Sequence, residues 1–295
     1  MSQPSASVPL VGSDRHHTEQ VILDLEKRAR EIRRTVVSMV YGVGSGHPGG
    51  SLSATDILTS LFFHQLRLDP TNPCWEDRDR FILSKGHAAP ALYASLAMRG
   101  FFPVEELSTF RRLDSRLQGH PDRNKTPGVE MTAGALGHGL AIGAGLALSA
   151  RLDGRSFRSY VLMGDGELQA GVVWEGAMMA SKYRLDNLTA IVDFNGVQLD
   201  GMVADIMPLD PLADKWRAFG WHVLEIDGHN LRQVLEALDE VPKLHAKPTV
   251  IIAHTIKGKG VSYMENKSAW HGRAPTPEQY DQAMADLAEP EANRG

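Results

Sequence analysis

An α/β fold, with a parallel sheet covered by helices on both faces, follows from three observations on the 295-residue sequence. Apolar, strand-length runs lie near 159–163, 188–194, 221–227 and 248–255. Helix-length segments near 171–183, 211–219 and 230–241 alternate with them, and such alternation calls for a parallel sheet with both faces covered. The chain is 42% hydrophobic, enough for a substantial core.

The elements follow in chain order. Met1 to His17 is rich in Ser, Pro and Val and reads as a loose N-terminal arm, without the basic flank and apolar stretch of a signal peptide. Val21, Ile22, Leu25, Ile32, Val36 and Val40 recur at helical spacing over 18–44, and Gly42, Gly44 and Gly46 stop that helix. Ser51 to Leu66 reads as a second helix with Ser53 and Asp56 in a capping-box-like arrangement. A charged stretch, Asp77 to Arg80, precedes the short strand Phe81-Ile82-Leu83, and Ala88 to Arg99 is a third helix closed by Gly100. A short helix over Glu105 to Leu113, a Pro/Gly/Lys-rich loop over Gly119 to Gly128 and a small-residue helix over His138 to Arg151 lead into the alternating half. Thr276 to Gly295 is charged and Ala/Glu/Pro-rich, a terminal helix fraying into a tail. The resulting division is an arm at 1–17, one domain at 18–280 and a tail at 281–295.

Composition narrows the function. The charge sum, 31 minus 36 or −5, comes without a Lys/Arg-rich block, so a nucleic-acid surface has no electrostatic support. No run is long enough to span a bilayer. Cys74 is the only cysteine, which forbids an internal disulfide and suits a reducing cytoplasm.

Gly164-Asp165-Gly166 ends the apolar run Tyr160 to Met163, and Asn195 ends the run Thr189 to Phe194 thirty positions after Asp165 (195 minus 165). Each could be an ordinary turn. Together, at the carboxyl ends of two parallel strands, they read as a magnesium-diphosphate site: glycines let the backbone approach an anion, Asp165 meets the metal and Asn195 adds a neutral oxygen. Magnesium takes one or two protein groups and fills its octahedron with phosphate oxygens and water, so a diphosphate fits better than a bare ion.

Of the twelve histidines, several sit beside glycine, in Gly46-His47-Pro48-Gly49-Gly50, Gly86-His87, Gly119-His120, Gly137-His138-Gly139 and His271-Gly272. No His-x-x-x-His pair or His/Cys cluster supports a metal site, and His16, His17, His64, His222 and His245 read as ordinary capping or core residues. Convergence of the glycine-flanked set on a polar, phosphate-bearing sugar fits instead, where imidazoles orient hydroxyls, move protons and, when charged, hold a phosphate.

The Gly-Asp-Gly to Asn spacing resembles the thiamine diphosphate motif. The runs Ser45 to Ser53, Arg78 to His87, Gly128 to Gly137 and Lys257 to Val261 make the chain similar to the diphosphate-binding (PP-type) domain of transketolases over residues 20 to 275, and above all to the N-terminal subunit of two-gene transketolases. The resemblance implies that Asp165, Asn195 and the Val197 carbonyl hold magnesium, or calcium or manganese in its place. It implies that Gly164, Gly166, Glu167, His87 and His271 lie around the cofactor diphosphate, and Gly134 and Leu136 near its rings. His47, His87, His120 and His271 face the donor sugar, and Glu175 corresponds to a buried glutamate of an interface network.

The implied reaction is transfer of a two-carbon ketol unit from a phosphoketose to an aldose, requiring a C-terminal, pyrimidine-binding subunit in an α2β2 assembly; that subunit supplies the glutamate that activates the cofactor ring. Two departures stand out. Ala170 replaces the usual glutamate of a proton-linked network between paired sites, with Glu167 a conceivable substitute, and His138 stands where many members have glutamine. A deoxyxylulose-phosphate-synthase-like enzyme and a non-catalytic cofactor-binding scaffold are the rivals. A nicotinamide dehydrogenase, prompted by Gly137-x-Gly139-x-x-x-Gly143, lacks a preceding strand and an acidic residue after the next one.

Overall fold

A computed structural model describes residues 17 to 289; the N-terminal arm other than His17, and residues 290–295 of the tail, lie outside the described residues. The first element, α1 (Glu19–Val43), begins where the Thr18 hydroxyl caps the Val21 amide and ends at Gly44 in the left-handed conformation, φ 67°. Its buried stripe, Ile22, Leu25, Ala29, Ile32, Val36 and Val40, keeps three-to-four-residue spacing.

The second sequence helix starts earlier and is divided: α2 (Pro48–Ser53), α3 (Thr55–Ser60) and a π-helical turn, Leu61–Gln65. The Ser53/Asp56 capping box does not form. Ser53 Oγ donates instead to Asp193 Oδ2 at 2.6 Å, and the Asp56 carboxylate is taken by Arg33 and His229. Charge-assisted bonds to buried carboxylates outweigh a local cap. After β1 (Arg80–Leu83) and α4 (Ala89–Arg99), a 3-10 segment spans only Val104–Thr109. The expected helix stops short of Leu113 because Arg111 and Asp114 adopt φ of 58° and 63°.

From α5 (His138–Leu152) the chain alternates: β2 (Ser159–Gly164), α6 (Gly171–Lys182), β3 (Leu188–Phe194), α7 (Val203–Ile206), α8 (Leu212–Ala218), β4 (His222–Asp227), α9 (Leu231–Glu240) and β5 (Thr249–His254). The sheet is wholly parallel with strand order β1-β2-β3-β5-β4. Alternate residues of each strand feed separate cores. Phe81, Leu83, Tyr160, Leu162, Ile191, Ile251 and Ala253 face the layer of α1, α3, α4 and α9. Ile82, Val161, Met163, Ala190, Val192, Val250 and Ile252 face that of α5, α6 and α8. Burial on both faces explains why these strands read as continuous apolar runs.

The last helix, α10 (Pro277–Asp286), carries a capping box between Thr276 and Gln279. It runs past residue 280, and its Ala283, with Leu287 just beyond it, joins the core against α1, where Arg34 donates to the Met284 and Leu287 carbonyls. Among the described residues no helix is long and apolar enough to cross a membrane.

Candidate active site

All strands being parallel, their carboxyl ends share one edge, and the chemistry-bearing turns collect there: Ser84 to His87 after β1, Asp165 after β2, Asn195 after β3, His229 after β4 and Lys257 after β5. Asp165 is 2% exposed. Its Oδ1 accepts the Gly166 amide at 2.7 Å and its Oδ2 the Gly196 amide at 2.5 Å, so the two turns are stitched together. The Asn195 Oδ1 accepts the Val197 amide at 3.1 Å, and the Val197 carbonyl accepts from Lys257 Nζ at 3.0 Å. The three expected metal groups therefore occupy one edge on adjoining turns.

The fit to a cation-bound diphosphate rests on this donor set. Asp165, Asn195 and Val197 offer oxygens only, which suits a hard ion, and each keeps a lone pair beyond its present hydrogen bond. Around them lie cations and imidazoles for an anion. A side chain at Gly166 would stand 3.0 Å from Gln198 Cβ, so the backbone there stays open only as glycine. Burial first, then the neighbouring Asp193 carboxylate, push Asp165 up to about 6. A bound cation reverses that balance and favours the carboxylate.

Two lysines and an aspartate, to which sequence reasoning assigned no role, form the floor. Lys85 and Asp193 are buried and ion-paired; Asp193 also receives hydrogen bonds from Ser53 and Thr255, and Asn195 Nδ2 lies 3.4 Å from it. Burial opposes the Asp193 charge, but Lys85 and the hydroxyl donors outweigh it and hold the carboxyl below its ordinary value. Lys257, also buried, bridges the Val197 carbonyl and His271 Nδ1, both at 3.0 Å. Burial, then repulsion from Lys85, lower it to about 8. The only sequence signal for either lysine is its place directly after a strand and beside glycine.

Four expected histidines converge. The His47 ring lies 5.5 Å from His87, 6.1 Å from His120 and 5.5 Å from His271, centroid to centroid, and His87 lies 4.8 Å from His271. His47 comes from the start of α2, His87 from the turn after β1, and the others from loops. Burial, with Arg111 and other cations next, brings His47 down to about 4; burial and Lys257 bring His271 to about 3. His87, mainly by burial and Lys85, and His120, by burial and Arg111, are lowered too. In the ligand-free protein these shifts keep the four histidines neutral near pH 7, and the positive charge of the edge comes from Lys85, Lys257 and Arg111. A protonated Lys257 donating to His271 Nδ1 leaves the proton of that ring on Nε2. Arg111, also missed, bonds Ser45 Oγ at 2.6 Å, held in place by its left-handed backbone.

Other expected residues lie elsewhere. Glu167 turns inward: its carboxylate takes Ser84 Oγ, the Gly137 amide at 2.7 Å and the Gly164 amide at 3.1 Å, with burial raising its pKa above the ordinary carboxylate value against those bonds. It braces the loop Gly134 to Gly137 and does not reach outward to replace the side chain absent at Ala170. Gly134 and Leu136 are exposed on that loop. Glu175, matched by resemblance to an interface glutamate, is exposed on α6 in the single chain, opposite the buried positions Val173, Gly176, Ala177 and Ala180. His138 is exposed as well, with Nδ1 3.2 Å from the Leu136 carbonyl.

Comparison with known proteins agrees with this geometry. Residues 25–288 match the family of the transketolase thiamine diphosphate-binding domain. The chain is 45% identical over 265 residues to the 6-deoxy-6-sulfo-D-fructose transketolase subunit SqwG of Clostridium sp. (strain MSTE9), covering 90% of this chain and 96% of that one. It is 43% identical to an apulose-4-phosphate transketolase subunit of Phocaeicola vulgatus, covering 90% and 94%. Human transketolase is 40% identical over 88% of this chain, which spans 41% of the human protein. Among solved structures, a transketolase variant of Pichia stipitis superposes with a TM-score of 0.86 at 31% identity, covering 90% of this chain and 40% of that one, and the Campylobacter jejuni transketolase with 0.84 at 34%, covering 89% and 42%. With the family match spanning nearly all described residues and two relatives matched over almost their full length, the chain belongs to the transketolase family, as its thiamine diphosphate-binding N-terminal part.

Proposed function

We propose that this chain is the diphosphate- and metal-binding subunit of a two-subunit transketolase, moving a two-carbon ketol unit from an anionic ketose to an aldose. The observation that carries the reading is the meeting, at one sheet edge, of Asp165 and the Asn195–Val197 turn with His47, His87, His120 and His271. Asp165, Asn195 and the Val197 carbonyl would hold Mg²⁺, and His87, His271, Lys257 and the Gly166 amide would lie against the diphosphate. When bound, thiamine diphosphate supplies the carbanion-stabilising chemistry, and the protein supplies position and electrostatics.

The roles of this chain's own groups follow from their environments. Neutral His47 and His120 accept and return protons of sugar hydroxyls, while His271, its Nδ1 taken by Lys257, offers its Nε2–H as a donor to them. Such positioned proton transfer contributes on the order of 10²- to 10⁴-fold each. Arg111, beside His47 and His120, adds permanent positive charge for an anionic donor. The substrates in the names of the two subunit relatives, a sulfo-sugar and a sugar phosphate, are both anionic.

A partner subunit of the pyrimidine-binding type is proposed from the likeness to relatives named as subunits and from the surface beside the site. Leu136 on the loop before α5, Ile142 on α5 and Met178 on α6 are 43%, 41% and 52% exposed, and Glu175 on α6 is exposed as well, apolar surface that an α2β2 assembly would cover. The lone, exposed Cys74 suits the cytoplasm. The test is calorimetry and turnover together. The reconstituted pair should bind thiamine diphosphate only with Mg²⁺ and transfer ketol units, and the isolated chain should turn over little. Asp165→Ala should remove metal-dependent binding; wild-type affinity in that variant would defeat the assignment.

A further inference from the structure

Far from the histidine cluster, three side chains remote in sequence meet beside the start of α1. His17 Nε2 lies 3.0 Å from Asp239 Oδ2 near the end of α9. The ring of His64, on the π-helical turn, stands edge-on to that of His17 with centroids 5.2 Å apart. One ligand atom from each of the three lies within 4.8 Å of the other two. We propose that His17, His64 and Asp239 bind a divalent transition metal of the zinc class, clasping the segment that enters α1 to α9 and to the π-helical turn.

The geometry is close to what such an ion needs. Tetrahedral bonds of about 2.0–2.1 Å place ligand atoms roughly 3.3 Å apart. The His17–Asp239 pair is already there, and the other pairs need close by no more than about 1.5 Å, a displacement that side-chain rotation supplies. Two imidazoles and one carboxylate form a zinc-type set with the fourth position left for water. They are a poor set for Mg²⁺, which prefers oxygens, so this site and the Asp165 edge select different ions.

The three carriers are held together by bonds that do not use the ligands. Arg232, two turns before Asp239 on α9, donates to the His17 carbonyl at 2.9 Å and to Glu19 at 2.9 Å. Gln65, next to His64, donates to the Tyr160 hydroxyl at 3.1 Å and to the Leu238 carbonyl at 3.4 Å. With its carriers prepositioned, the site asks little ordering of the chain on binding. The π-helical turn adds to the case, because such turns are rare and concentrate at functional positions. No local spacing announces the set, since each ligand comes from a different element.

Chelator-treated protein is titrated with Co²⁺ in excess Mg²⁺, and with Zn²⁺ followed by thermal melting. One Co²⁺ per chain should give the visible bands of a four-coordinate ion, and Zn²⁺ should raise the melting temperature. His64→Gln and Asp239→Asn should each lower the affinity by at least the roughly 10- to 100-fold that loss of even an outer-shell partner costs, while Asp165→Ala keeps it. Retention by Asp165→Ala separates this outcome from any failure of the cofactor assignment. Absence of stoichiometric uptake, or uptake unchanged in both ligand variants, overturns the proposal. Should either variant unfold, nitrogen NMR of the unsubstituted protein decides: Zn²⁺ must shift the ring resonances of His17 and His64, and unmoved resonances overturn it equally.

Discussion

Asp193→Asn tests whether the floor of the site is held by charge. Asp193 has a fully buried side chain and Lys85 one that is 2% exposed, so neither charge has water to fall back on. The amide keeps the shape and one acceptor but removes the counter-ion, leaving a buried ammonium without its ion-pair partner. Breaking a buried pair in this one-sided way costs about 3–5 kcal/mol, a large part of the roughly 5–15 kcal/mol that stabilises an ordinary domain. The Ser53 and Thr255 hydroxyls, which donate to the carboxylate, also lose charge-assisted bonds. Urea unfolding followed by tryptophan fluorescence measures the loss. Removing both charges, Lys85→Met with Asp193→Asn, should recover at least half of it, because the stranded ammonium is gone. An Asp193→Asn variant within about 1 kcal/mol of the parent, or a double variant no better than the single one, would refute the argument.

Gly137 has φ 88°, and an added Cβ would meet Val172 Cγ1 at 2.7 Å and Ala170 Cβ at 2.9 Å. Gly137→Ala should therefore cost more than the ~1–2 kcal/mol of left-handed strain alone, read as a lower urea midpoint. Acid stability has two stages. The folded values of His47 and His271, near 4 and 3, lie below the ordinary 6.5, so their contribution is complete above 6.5 and is lost as pH falls from there. Asp56, which burial alone would raise, is lowered by Arg33 and by hydrogen bonds from His229 and Arg33; its stabilisation, complete above 3.8, disappears only in stronger acid. Urea midpoints measured against pH should decline in that order, and a ligand-free midpoint unchanged between pH 6.5 and 4 counts against the buried neutral imidazoles. In reconstituted enzyme His120→Ala should lower kcat/KM by about 10²-fold or more, with Asp56→Asn serving as a variant that changes stability far more than turnover.

How much of this was legible depended on the range of each signal. Strand period, the Gly-Asp-Gly turn and glycine-flanked histidines are local patterns, and they located β2, β3 and the converging imidazoles. The split of the second helix was hidden because Ser53 and Asp56 look like a cap in one dimension. In space their partners are Asp193, Arg33 and His229, carried by other elements. Lys85 and Lys257 were written in the motifs yet silent as to role, since a lysine declares itself only when burial and a partner are known. Glu167 had the right type and place for an outward acid, but two backbone amides and Ser84 turn it inward.

The charge balance at the sheet edge argues for what the site is built to receive. Asp165 and Asp193 face Lys85 and Lys257, two acids against two bases, with Arg111 added beside the histidines. The ligand-free edge is thus nearly neutral but strained within each sign: Asp193 raises Asp165, and Lys85 lowers Lys257. A cation alone would relieve the acids and worsen the lysines; an anion alone would do the opposite. A cation and a polyanion arriving together relieve both, which is what the proposed metal-bridged diphosphate would bring. The imidazoles, lowered in part by the same cations, would rise toward ordinary values once the anion offsets that charge, so in the proposed function cofactor binding would bring these histidines nearer the pH at which they exchange protons.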